Sequence, residues 1–315
     1  MNNPDNYIVR GYRTGDEEGI TSLFREVFEK EITIEQWNWK YFIPGNGRVY
    51  SKVVVDNPEN IVGYAGAVPL RGIFQDKPLQ FFQIADVMVH PKARGFLGRK
   101  NVFDNLMKAL FEDIRKEFSD VFCYGFPGRR PFIIGQRVKV YDRIEQGTDC
   151  IKSLKHSFLN FLTVKSISWG DNRLDALWAN LSGNFPLSLI RDKDYLHWRY
   201  AANPFFSYQL LGIFLLKQLK GWAVIRDSGE EVLVVDLLTE PQRCMGVLNA
   251  LENYLIDQKK KTIRLWLPER WRKGIRRYST KETGVVVSNM IWKMPIQTHV
   301  VRENLFYTMG DVDIF

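Results

Sequence analysis

Cysteine and histidine are scarce in this chain of 315 residues, which has three of the first and four of the second. Cys123, Cys150 and Cys244 are odd in number and far apart, with no CxxC element, so neither a disulfide framework nor a zinc-thiolate site is indicated. They are expected to be reduced and buried. His90, His156, His197 and His299 are equally scattered and show no metal-ligand spacing, which points to a metal-free chemistry. A Gly-x-Ser-x-Gly elbow is missing, and with it the common signature of a serine nucleophile. No uninterrupted apolar run reaches the length of a signal peptide or a membrane span, and Met1 to Asp16 is polar and charged, so a cytoplasmic protein without a transmembrane segment is expected.

Apolar and aromatic residues, in contrast, are plentiful: 45% hydrophobic and 14% aromatic content supports one large or two ordinary globular domains. The first half reads as alternating α and β elements. Tyr7 to Tyr12 is a strand, and Thr14 with Glu17 three residues on reads as a capping box opening a helix with Ile20, Leu23, Phe24 and Val27 on one face. A short helix follows from Ile34 to Tyr41, ended by Pro44-Gly45-Asn46-Gly47. Val49 to Val55 and Ile61 to Val68, separated by Asp56-Asn57-Pro58-Glu59-Asn60, read as an antiparallel hairpin. Later come a strand from Val121 to Gly125 and a helix from Arg129 to Val138.

Between these lies the most informative stretch. Phe81, Phe82, Ile84, Val87 and Val89 make a strand that His90-Pro91 ends, and Arg94-Gly95-Phe96-Leu97-Gly98-Arg99 leads into a helix with Phe103, Leu106, Met107, Leu110 and Ile114 on one face. A helix N-terminus presents unpaired N–H groups and partial positive charge, and glycines let a phosphate approach the backbone closely. Pyrophosphate is the natural guest, although strand, glycine loop and helix occur in other nucleotide folds as well.

The run from Val87 to Arg99 resembles the acyl-coenzyme A loop of the GCN5-related N-acetyltransferases, or GNAT family, whose usual pattern is Val-x-Pro followed by Arg-Gly-x-Gly-x-Gly-Arg. This chain has one glycine fewer between Gly95 and Gly98. The resemblance implies that the amides of Val87, Met88 and Val89 hold the pantetheine arm and thioester. It also implies that Arg94, Gly95, Phe96, Leu97, Gly98 and Arg99 take the pyrophosphate, with acetyl-coenzyme A as co-substrate. The order of elements in the first half is the one expected of that fold.

The second half reads as a faded copy of the first. Trp37-Asn38-Trp39-Lys40-Tyr41 is echoed by Leu196-His197-Trp198-Arg199-Tyr200, and Ile61-Val62-Gly63-Tyr64-Ala65 by Leu219-Lys220-Gly221-Trp222-Ala223. Asp86-Val87-Met88-Val89-His90-Pro91 matches Asp236-Leu237-Leu238-Thr239-Glu240-Pro241, and Phe122 to Pro127 matches Leu265-Trp266-Leu267-Pro268. After Pro241 the copy continues Gln242-Arg243-Cys244-Met245-Gly246-Val247, a single-glycine loop poorly suited to pyrophosphate. The expected fold is therefore α/β (α+β), with two tandem GNAT-like mixed-sheet domains over 1–148 and 149–315, the second degenerate. Such tandem halves resemble the enhanced-intracellular-survival acetyltransferases and the Fem-type aminoacyltransferases, which use aminoacyl-tRNA. They also resemble chains encoded with bacterial exopolysaccharide genes that share Trp-Lys-Tyr, Gly-Phe-Pro and a terminal Gly-Asp-x-Asp, here Trp39-Lys40-Tyr41, Gly125-Phe126-Pro127 and Gly310-Asp311-Val312-Asp313.

Acyl transfer to an amine needs a neutral amine, stabilisation of the developing oxyanion, and an acid for the departing thiolate. By resemblance the acid is a tyrosine near the end of the following helix; Tyr141 lies nearest that position, with Tyr124 on the preceding strand in reserve. Asp86 is the one acid near the end of the signature strand and is a candidate to orient the amine or relay its proton. Its echo at Asp236 equally suits a structural role. In the enhanced-survival group the terminal carboxylate reaches the active site, which gives the tail Gly310 to Phe315 a parallel by resemblance; an ordinary chain end is the simpler reading.

Charge is uneven. The chain carries +8, and the cations of Lys259 to Arg277, less Glu269, account for the whole surplus. Trp271, Ile275 and Tyr278 give that segment an apolar face, so it is a candidate contact for anionic lipid, a glycan or tRNA, or simply a solvated helix packed by Trp271. The leading expectation is an acyl-coenzyme A-dependent N-acyltransferase acting on an amino sugar or other small amine. A Fem-type transferase and a non-catalytic scaffold are the alternatives.

Overall fold

Strands dominate where β-branched and aromatic residues cluster, and helices where the apolar spacing is three and four. The computed structural model describes residues 7–43, 47–57, 60–94, 101–156 and 161–312. In chain order the elements begin with β1 (Ile8–Gly11), α1 (Glu17–Phe28), α2 (Ile34–Tyr41), β2 (Tyr50–Asn57), β3 (Asn60–Phe74) and β4 (Lys77–Val89). Next come α3 (Val102–Glu117), β5 (Val121–Gly125), α4 (Arg129–Arg137), β6 (Tyr141–Ser153), β7 (Leu162–Ser166), α5 (Arg173–Leu181) and β8 (Leu187–Leu189). The rest are α6 (Lys193–Leu196), β9 (Gln209–Leu215), β10 (Gln218–Ser228), β11 (Glu231–Thr239), α7 (Cys244–Asp257), β12 (Thr262–Leu265), α8 (Glu269–Arg272), β13 (Ser279–Met290) and α9 (Thr298–Asn304).

Two compact units result. One comprises residues 1–71, 79–144 and 286–299, and the other 72–78, 145–285 and 300–315. In the first, the strand order is β1-β2-β3-β4-β5, followed by the end of β13. β1 and β2 pair antiparallel, as do β2 and β3, whereas β4 and β5 run parallel from Gln80–Val121 to Ile84–Gly125. Ser288 and Asn289 of β13 then pair antiparallel with β5. Helix α3 buries Val102, Leu106, Met107, Leu110, Phe111 and Ile114, and its Asn101 cap accepts a hydrogen bond from the Asp104 amide. These residues join Val54, Phe82, Val121, Phe132 and Tyr141 in one core. Each such large apolar side chain contributes about 1.5–3 kcal/mol on leaving water.

The second unit follows the same order of elements. Its strands run β7-β9-β10-β11-β12 with β6 beyond β12, antiparallel throughout except for β11 and β12, which are parallel from Glu231–Thr262 to Val234–Leu265. Here the last described residues are part of the interior: Phe306, Tyr307, Thr308, Met309, Gly310, Asp311 and Val312 are all buried. Two arginines hold them. The Arg199 guanidinium donates to the Gly310 and Val312 carbonyls at 2.7 and 2.6 Å, and Arg191, itself wholly buried, bridges Asp236 at 3.1 Å and Asp311. The two carboxylates keep Arg191 protonated by pushing its pKa up against the opposing effect of burial.

Helix starts show one departure from expectation. The capping box at Thr14 and Glu17 does not form, because α1 begins at Glu17. Asp16 accepts instead from the Arg10 guanidinium, at 2.7 and 2.8 Å, and from the Arg13 amide, while Glu17 takes the Tyr12 hydroxyl and the Gly15 amide. A capping box is present at α2, where Thr33 and Gln36 exchange bonds of 3.0 and 3.1 Å. That cap fixes the start of the helix and so the phase of its buried face.

Two substitutions test this packing. At Gly66 a Cβ would lie 2.3 Å from the Tyr41 ring. Gly66→Ala is therefore expected to destabilise by about 1–3 kcal/mol, read as an earlier urea midpoint. Arg191→Met leaves Asp236 and Asp311 buried without a cation and is expected to cost about 3–5 kcal/mol. The double variant Arg191→Met with Asp311→Asn should recover part of that loss, as a thermodynamic cycle in denaturant would show.

Candidate active site

The site grows from the phase of α2. Trp37, Lys40 and Tyr41 stand at i, i+3 and i+4, share one face and are all buried. A lysine on an apolar face must find a carboxylate, and Lys40 finds Asp86: its Nζ lies 3.0 and 2.9 Å from the two carboxylate oxygens. The Tyr41 hydroxyl donates to the same carboxylate at 2.7 Å. The Lys40 and Asp86 side chains are only 7% and 6% exposed. Tyr64, fully enclosed, stacks edge-on to Tyr41 at 5.8 Å, and burial followed by the Asp86 charge holds its phenol well above its ordinary pKa.

Asp86 is also where the strand changes. Its φ of 50° lies in the left-handed region, which aspartate tolerates better than most side chains do. The parallel ladder between β4 and β5 ends at Ile84–Gly125, two residues before it. Gly125 makes that last pairing possible, since a Cβ there would meet Met290 Cε at 2.8 Å and the Ile84 carbonyl at 3.1 Å. Among the described residues, the edge of Val87 to Val89 that would face β5 is thus off the ladder. An amide edge of this kind fits the pantetheine arm and thioester of an acyl-coenzyme A, which supplies an activated carbonyl when bound.

The strand closes on a 3-10 turn, Pro91–Ala93, with the His90 Nδ1 accepting from the Lys92 amide at 3.1 Å. Arg94 is exposed and donates through Nε to the Val89 carbonyl at 2.7 Å, which holds its guanidinium at the end of β4. Gly95, Phe96, Leu97, Gly98 and Arg99 lie outside the described residues. Met88 is fully buried, while Val87 and Val89 pack partly against the core.

The two tyrosines are placed differently from Asp86. Tyr141 is a core residue whose ring lies against Gly135, where a Cβ would come within 2.3 Å, and edge-on to Phe103 at 5.9 Å. Burial raises its pKa, so the phenol stays protonated and keeps its O–H. Tyr124 is buried in an aromatic stack, parallel to Phe122 at 5.3 Å and edge-on to Phe81 at 6.1 Å. Lys40 and Tyr41, which the sequence offers as repeat markers and as part of the Trp-Lys-Tyr motif but not as site residues, are the residues that Asp86 engages. The signal was in the sequence: a lysine in the same stripe as Trp37 requires a buried acid, and Asp86 is the acid on the neighbouring apolar strand.

The second unit offers a parallel without an opening. The Tyr200 hydroxyl donates to Asp236 at 2.8 Å, and the β11–β12 ladder ends two residues before that aspartate. But Asp236 is wholly buried and bound by Arg191 and by the Thr308 hydroxyl of the chain end at 3.0 Å, and α7 starts directly after the turn Pro241–Arg243. No helix among the described residues is long and apolar enough to cross a membrane, and no group of three or more His, Cys, Asp or Glu could hold a metal there. The three cysteines are free and buried, and burial pushes Cys150 up to about 11 and Cys244 up to about 12, far from a thiolate nucleophile.

Residues 8–137 match the family model of the acetyltransferase (GNAT) domain. No curated protein matches in sequence. Among solved structures, a probable N-acyltransferase from Enterococcus faecalis superposes with a TM-score of 0.69 at 13% identity, over 90% of this chain and 73% of that one. A GCN5-related N-acetyltransferase from Kribbella flavida gives 0.67 at 14% identity, over 91% and 71%. N-myristoyltransferase from Saccharomyces cerevisiae, with bound myristoyl-coenzyme A, gives 0.61 at 10% identity, over 92% and 84%. The mixed sheet, with its parallel β4–β5 pair parting at Asp86, belongs to that fold, which uses acyl-coenzyme A. Residues 8–137 thus match a GNAT acetyltransferase domain, the domain of an acyltransferase, and the likeness to the solved structures is one of fold.

Proposed function

We propose that the protein transfers an acetyl group from acetyl-coenzyme A to the amine of an amino sugar or another small molecule, in the metabolism of a surface polysaccharide. The observation that carries the reading is the end of the β4–β5 ladder just before Asp86, in the unit that has the glycine-bearing loop. Val87, Met88, Val89 and Arg94 would hold the donor, together with the loop from Gly95 to Arg99. Tyr141, protonated because it is buried, serves as the proton donor to the departing thiolate. Asp86 orients the acceptor amine and takes its proton, with Lys40 and Tyr41 holding the carboxylate in place. Tyr124 shapes the aromatic wall from β5.

The shared element order and the matching Tyr41–Asp86 and Tyr200–Asp236 bonds support an origin of the two units by duplication. On this reading the second unit lost its donor site, since its aspartate is enclosed and its turn into α7 has no glycine loop. The segment Lys259–Arg277 is partly packed and partly at the surface, where Lys259, Lys273, Arg276 and Arg277 are exposed. Trp271, Ile275 and Tyr278 are buried, and α8 spans only Glu269–Arg272. Lys260 pairs with Asp227, Lys261 with Glu230 and Arg264 with Glu231 and Asp149, while Arg270 and Arg272 donate to carbonyls.

Calorimetry with acetyl-coenzyme A should show saturable binding to one site per chain. Gly98→Trp is expected to abolish it, and unchanged binding in that variant would disprove the assigned donor loop. Salt-sensitive tRNA binding in place of coenzyme A affinity would favour an aminoacyl-tRNA-dependent reaction instead. Tyr141→Phe should lower kcat for amine acylation by about a hundredfold with little change in KM for the donor, as expected for loss of a general acid; a near-normal kcat would remove Tyr141 from the mechanism.

A further inference from the structure

An amine already sits on the candidate base. Lys40 Nζ contacts both oxygens of Asp86 at 3.0 and 2.9 Å, and Asp86 is the kink from which the Val87–Val89 edge leaves the ladder. The second unit shows that the fold does not require a primary amine there. Asp236 takes a guanidinium, that of Arg191, and the arginine in the position of Lys40, Arg199, turns to the carbonyls of Gly310 and Val312. A guanidinium stays protonated and is not a nucleophile at neutral pH. The unit with the glycine loop therefore differs in placing an acylatable nitrogen on its strand aspartate.

We propose that Lys40 is a self-acylation site: the protein transfers an acyl group from acyl-coenzyme A to its own Lys40 Nζ. The inference rests on the donor reading given above. In the step, the Lys40 ammonium passes one proton to the Asp86 carboxylate, and the neutral amine attacks the thioester carbonyl. The C–N bond forms as the C–S bond breaks, and a second proton leaves the nitrogen for the thiolate, giving coenzyme A thiol. Asp86 then returns its proton to solvent. The product is a neutral amide whose N–H can still donate to Asp86, so acylation removes the cation from the site without emptying it. The modification would thus remove the positive charge beside the base that an external acceptor meets.

The test uses the full chain with acetyl-coenzyme A alone, following binding by calorimetry and acetylation by peptide mass spectrometry. Lys116 and Lys261, which are 76% and 68% exposed, serve as internal controls for non-enzymatic acetylation. The expected result is acetylation of Lys40 ahead of both, at a rate per chain independent of protein concentration, and absent from heat-unfolded protein. Lys40→Arg should bind acetyl-coenzyme A without gaining that label, and Asp86→Asn should bind it while labelling at least about tenfold more slowly. Bound acetyl-coenzyme A with Lys40 unmodified, or modified no faster than Lys116 and Lys261, overturns the inference while leaving the donor site standing. Absence of acetyl-coenzyme A binding overturns the donor reading, and self-acylation with it.

Discussion

A buried carboxylate governs the first unit. Placing Asp86 in the interior of a strand costs several kcal/mol unless its charge and lone pairs are matched. α2 supplies the match with an ammonium and a phenol from adjacent residues of one helical turn. Each partner constrains something else. Tyr41 can reach only because residue 66 is glycine, and Lys40 only because the Thr33–Gln36 cap sets where α2 begins. The backbone of Asp86 has a left-handed φ, which coincides with the point where β4 leaves its parallel partner. The edge that would suit a pantetheine arm thus begins next to the neutralised acid.

Much of this frame is legible in the sequence. The apolar stripe of α3, the hairpin of β2 and β3, and the helix from Ile34 to Tyr41 all follow from spacing and turn residues, although β3 runs on to Phe74, six residues past the expected end at Val68. What spacing cannot supply is competition between partners. Thr14 and Glu17 satisfy the pattern of a capping box, yet Arg10 draws Asp16 and Tyr12 draws Glu17, so α1 opens without it. Nor can local pattern show that Ser288 and Asn289, far along the chain, complete the strand order beside β5. Lys40 was readable in principle from its place beside Trp37, but a repeat comparison aligns residues and does not ask what a charge needs.

Net charge is a second case where composition and surface part company. The surplus of the chain is concentrated between Lys259 and Arg277. In the fold, Lys260 bonds Asp227 and the Gly229 carbonyl, and Arg264 lies across Glu231. Arg270 and Arg272 serve as caps for carbonyls, with the Arg270 pKa lowered by burial. The apolar triplet Trp271, Ile275 and Tyr278 faces inward, where Trp271 stacks on Phe185 at 5.5 Å and the Tyr278 hydroxyl donates to Glu252. Part of this run of cations is therefore tied into the fold by carboxylates elsewhere in the sequence, while Lys259, Lys273, Arg276 and Arg277 lie exposed.

The contrast between the two aspartates carries the functional argument further than either alone. Both are held by a tyrosine hydroxyl, and both follow by two residues the end of a parallel ladder. If that arrangement were purely a catalytic device, it would have no reason to persist in the second unit, where Asp236 is sealed by Arg191 and by Thr308. The tyrosine–aspartate bond is therefore a feature of the fold, and it cannot by itself identify a transferase site. What differs between the units is the cation and its surroundings: a nearly buried primary amine in one, a fully buried guanidinium held between Asp236 and Asp311 in the other. Function must be sought in that difference, since only there does the chemistry available to the aspartate change.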